Sequence, residues 1–80
     1  MDTEEGGKEL AERLSRYIKG ELKKANVTYE ALAERLKEHG FQKETKDSIK
    51  SKLKRGTFTA TFFVAVLLAI GKDGVRLGDL

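Results

Sequence analysis

Lys43, Lys46, Lys50 and Lys54 recur at spacings of three and four, with Arg55 beside the last of them. On a helix such spacing gathers side chains on one face. Asp47, Ser48 and Ser51 lie among them. Lysine ammonium groups and serine hydroxyls are ordinary ligands for phosphate oxygens, and arginine or lysine can also read guanine. Lysine dominates here, which favours electrostatic contact over the planar, two-pronged recognition that arginine provides. From Gln42 to Arg55 there are six basic and two acidic residues, a balance of +4, whereas residues 1–41 sum to −1 and 56–80 to zero. The segment therefore carries the net charge of the whole chain. One reading is a helix offered to a polyanion. A solvated or protein-facing surface is the other.

Other chemistries find less support. With no cysteine there is neither a disulfide framework nor a thiolate, and His39 is the single histidine, without the ligand spacing of a metal site. Its place near a helix end suits the negative pole of the helix dipole. Glu34 and Glu38 stand near it, but no nucleophile motif or glycine-rich phosphate loop accompanies them. We therefore expect no enzyme, cofactor, metal or small-molecule substrate. Phe58, Phe62 and Phe63 have apolar neighbours at helical spacing, which makes them core residues rather than a base-stacking platform.

The elements that must hold the basic face follow from apolar periodicity. Leu10, Leu14, Tyr17, Ile18, Leu22 and Ala25 form one stripe on a first helix over 8–25. Thr28 caps a second helix from Tyr29 to Glu38 or His39, with Leu32, Ala33 and Leu36 inward and Gly40 closing it. Thr45 caps the basic segment, Ile49 and Leu53 anchor it, and Gly56 ends it. Thr57 or Thr59 then starts a helix to Ile70 that is apolar on nearly every side. That composition predicts a central helix wrapped by the other three, or a helix partly exposed at a dimer interface. Val75, Leu77 and Leu80 are expected to seal the bottom of the core. Met1 to Gly7 reads as a flexible acidic tail, and 8–80 as a single domain. The acidic start and the nine-residue apolar run Phe62–Ile70 argue against a secretion signal and a membrane span, and for a cytoplasmic location.

Thr28, Leu32, Ala33 and Leu36, then Ser48, Ile49 and Leu53, then Arg55-Gly56, Phe63, Leu67 and Ile70-Gly71 together resemble the phage-repressor/Cro-like (XRE-type) helix-turn-helix family. Lys52 to Gly71 is also similar to a KxxxGTFxxxFFxxxLxAIG-like pattern found in small uncharacterised bacterial proteins. The repressor resemblance implies an all-α bundle of four to five helices whose third helix enters the major groove of double-stranded DNA, usually in a homodimer. It would bring Thr28 and Tyr29 to phosphate. Lys46, Asp47, Ser48, Lys50 and Ser51 would lie near base edges, and Lys54 and Arg55 near the backbone. Lys43 joins them on the exposed face. Tyr29 could equally cover the junction with the first helix. Gly40 follows Ala33 by seven positions, a longer connection than is usual in that family. The resulting expectation is a sequence-specific transcriptional regulator. The alternative is a protein–protein module, an adaptor or toxin–antitoxin-type component, without DNA contact of its own.

Overall fold

The computed structural model describes residues 3–80, with side chains from residue 7 onward. Among these residues the protein is all-α. Four helices follow one another as α1 (Thr3–Ala25), α2 (Tyr29–Leu36), α3 (Lys46–Arg55) and α4 (Ala60–Ala69), with 3₁₀ turns at Lys37–His39 and Leu77–Asp79. There is no strand among them.

Each boundary has a local cause. Thr28 Oγ1 accepts a hydrogen bond from the Ala31 amide at the start of α2, and Thr59 Oγ1 accepts one from the Phe62 amide at the start of α4, both at 3.1 Å. At α3 the cap is reciprocal. Thr45 Oγ1 accepts from the Ser48 amide at 3.1 Å, and Ser48 Oγ accepts from the Thr45 amide at 2.8 Å. Two otherwise orphaned donors are thereby satisfied. Gly56 ends α3 with φ of 66°, a left-handed conformation that favours glycine. Gly40, with φ of 90°, closes the 3₁₀ turn after α2, and the Phe41 amide reaches back to the Leu36 carbonyl at 3.1 Å. Phe41 then packs edge-on against Phe62, with ring centroids 5.7 Å apart.

The core joins Ile18 and Leu22 of α1, Leu32, Ala33 and Leu36 of α2, Ile49 and Leu53 of α3, and Phe62, Ala65 and Val66 of α4, with Val27 from the first turn. Helix α2 packs on both α3 and α4, and α1 lies against α3. The middle element is therefore α2, not α4. Val64 and Leu68 on α4 are 52% and 55% exposed. A uniformly apolar sequence predicted either a wrapped helix or one partly exposed; α4 packs chiefly on α2, and one face of it stays open.

Three other expectations are revised. Helix α1 begins at Thr3, so residues 3–7 are helical rather than a loose tail; Met1 and Asp2 of that tail lie outside the described residues. Two glycines cost about 1 kcal/mol each, yet a helix already nucleated downstream extends by propagation. Leu10 is 59% exposed despite its place in the apolar stripe. A helix of 23 residues outreaches the 10-residue α3 beneath it, so the stripe overhangs its partner. Leu77 is exposed as well and does not seal the core. The last residues instead lie along α1, where Arg13 Nε donates to the Leu80 carbonyl oxygen at 2.9 Å. Lys72 adds a second tie to α1 through Glu21 Oε2 at 3.4 Å. The Tyr17 hydroxyl and the Glu21 carboxylate beside it hold the Lys72 ammonium above the usual lysine pKa, with desolvation opposing.

Candidate nucleic-acid interface

Ile49 and Leu53, essentially inaccessible, fasten α3 to the body. Being four residues apart, they face one way and leave the rest of the ten-residue helix outside. Lys43, Lys46, Asp47, Lys50, Lys54 and Arg55 are exposed, and Ser51 is half-buried. Among the described residues no carboxylate lies within salt-bridge distance of Lys43, Lys46, Lys50, Lys54 or Arg55.

The sixth cation of the segment behaves differently. Lys52 turns inward, pairs with Glu44, and sits 4.8 Å from the centre of the Phe62 ring. Glu44 also accepts a hydrogen bond from Ser48 Oγ at 2.7 Å. Ser48 is thus committed to the cap and to Glu44. Its hydroxyl is spent holding the start of α3, so the expected place near base edges does not suit it. Thr28 likewise uses its oxygen as a cap acceptor but remains exposed. Tyr29 is half-buried against the core.

The surface around α3 is not uniform in sign. Beside its N-terminus, a cleft shared with α2 is lined by Glu30, Glu34 and Glu44 together with Lys37, Lys43 and Lys46, three charges of each sign. Lys37 there pairs with Glu34 at 3.1 Å. Along the outer face, Asp47 meets Lys50, Lys54 and Arg55, a balance of +2. On the α1 side, a cleft of about 280 Å³ is lined by Glu12, Ser15, Arg16, Lys19, Leu53, Lys54 and Gly56, again a balance of +2. Lys54 borders both of these clefts. The positive surface therefore runs from the C-terminal half of α3 onto α1 and fades toward α2.

Arg16 and Lys19 escaped the sequence reading. Their spacing from Lys54 exceeds thirty residues, and only the packing of α1 on α3 brings them near. That packing is unusually close at one point: a methyl group at position 56 would lie 2.8 Å from the Ala11 methyl.

A second, chemically opposite surface lies on α4. His39, Phe41, Ala60, Thr61, Val64, Ala65 and Leu68 line an open groove of about 360 Å³. Its walls carry no carboxylate, lysine or arginine. Among the described residues, no helix is long and apolar enough to cross a membrane.

No curated protein and no solved structure matches the chain. A family profile does match residues 10–75, from the first stripe of α1 to the turn after α4, and so takes in both surfaces. The chain belongs to the DUF6471 family, a domain of unknown function.

Proposed function

We propose that this domain binds double-stranded DNA through α3 and acts as a sequence-specific transcriptional regulator of the repressor-like helix-turn-helix kind. The observation that carries the reading is the segregation of α3: its apolar pair is buried, and Lys43, Lys46, Lys50, Lys54 and Arg55 stand in solvent without carboxylate partners among the described residues. Ammonium groups so placed gain by releasing the counterions condensed on a polyanion. Lys50, Ser51 and Asp47 remain available for base edges, while Lys54 and Arg55 serve the backbone. Neutralising about five phosphates predicts that log K falls with log salt at a slope near −4 to −5. In a symmetric dimer the half-sites would lie about 34 Å apart. Titration of genomic fragments by gel shift or anisotropy at two salt concentrations tests the reading. Absence of binding at about 50 mM salt defeats it.

The α4 groove favours a second reading, a module that binds protein alone. Exposed Val64 and Leu68 beside Phe41 are the surface it would use. Under that reading, replacing the α3 lysines leaves the biological activity intact.

A further inference from the structure

We infer that the cleft between α1 and α3 is a second phosphate subsite, which takes a backbone phosphodiester of the DNA engaged by α3. The inference rests on the DNA-binding reading and adds α1 to it. Three observations converge. Arg16, Lys19 and Lys54 line the cleft against one carboxylate, Glu12. Among the described residues, neither Arg16 nor Lys19 has a carboxylate within salt-bridge distance. At the same cleft Ser15 is 4% exposed, and its Oγ has no hydrogen-bond partner.

The serine is the informative member. A buried hydroxyl without a partner is costly, and native proteins seldom leave one without a reason. The hydroxyl itself is closed off from solvent, so it must turn about χ1 toward the cleft to donate to an anion seated there, whose oxygen lone pairs supply the missing acceptor. Three cations around it supply the charge that a phosphodiester seeks. Leu53 and Gly56 line the same cleft and shield those contacts from water on one side. The mixed cleft beside α2 has neither feature: its charges cancel, and no unpartnered buried hydroxyl lies in it. The backbone path this predicts crosses α3 near Lys54 and continues over α1, on the side away from Glu30 and Glu34.

The test compares Arg16→Gln/Lys19→Gln with Lys24→Gln/Arg76→Gln, which takes the net charge from +3 down by the same two charges elsewhere. Anisotropy titrations of a labelled duplex across about 50 to 200 mM salt give the slope of log K on log salt for each. Loss of two phosphate contacts makes the slope shallower by about 1.8 and weakens binding about tenfold or more near 100 mM salt, while the control pair stays near wild type. Ser15→Ala weakens binding severalfold with the slope unchanged and without lowering the melting temperature. A wild-type slope in Arg16→Gln/Lys19→Gln, with wild-type protein binding normally, overturns the subsite and leaves the α3 reading standing. Failure of the wild-type protein to bind at all overturns both. In labelled wild-type protein, duplex should shift the amide signals of Ser15 and Gly56 along with those of α3; shifts confined to α3 also overturn the subsite.

Discussion

Helices α3 and α4 are each ten residues long, start from a threonine cap and bury one side against α2, yet they show solvent opposite chemistries. Helix α3 buries two aliphatic residues and exposes cations. Helix α4 buries Phe62, Ala65, Val66 and Leu67 and exposes Val64 and Leu68. The difference teaches that how much a helix buries does not set the chemistry of the face it leaves in solvent. In α3 a sparse anchor holds a dense charged surface. In α4 a dense anchor leaves excess hydrocarbon outside, which is the costlier thing to expose.

The comparison can be broken at its strongest point first. Phe62 is 1% exposed and touches the rings of Phe41 and Phe58. Phe62→Ala should cost about 3–5 kcal/mol and, by thermal or urea melts followed by circular dichroism, leave little folded protein. A melt close to wild type would mean that α4 does not anchor the core. Next, Lys46→Glu/Lys50→Glu/Lys54→Glu should lower DNA affinity by at least about a thousandfold, read by gel shift, with the same folded signal as wild type. Retained binding would place the DNA contact on a surface other than α3. Gly56→Ala forces a side chain into a left-handed conformation and against Ala11. It should cost about 2 kcal/mol in a denaturant titration, and more than a Gly20→Ala change, which meets nothing within 4 Å. Thr45→Ala removes one half of the reciprocal cap and should cost about 1 kcal/mol by the same measurement. Smallest of all, Val64→Gln/Leu68→Gln should shift stability by about 0.5 kcal/mol or less. If sedimentation shows the wild-type chain self-associating and this variant monomeric, α4 is the interface between copies.

Much of the fold was legible because its punctuation is local. Thr28, Thr45 and Thr59 carry the cap oxygen, and Gly40 and Gly56 carry the positive φ, so helix ends follow from single residues. The anchors Ile49 and Leu53 were legible from spacing. What could not be read was tertiary. Nothing in the run Ala60–Ile70 says which of its apolar sides faces outward, because the run lacks contrast. Nothing at Leu10 reveals that α1 outreaches its support. The basic segment advertised six cations, but Lys52 and Ser48 are drawn into the cap by Glu44, an arrangement set by side-chain geometry rather than pattern. Arg16 and Lys19 join Lys54 only through the crossing of α1 over α3.

The meeting of Gly56 with Ala11 has a mechanical meaning. Backbone at one residue and a single methyl at the other are about the least bulk two neighbouring helices can put between them, so α1 cannot be drawn nearer to the end of α3. The approach of the two helices is thus limited at that point by contact between atoms rather than by a flexible joint.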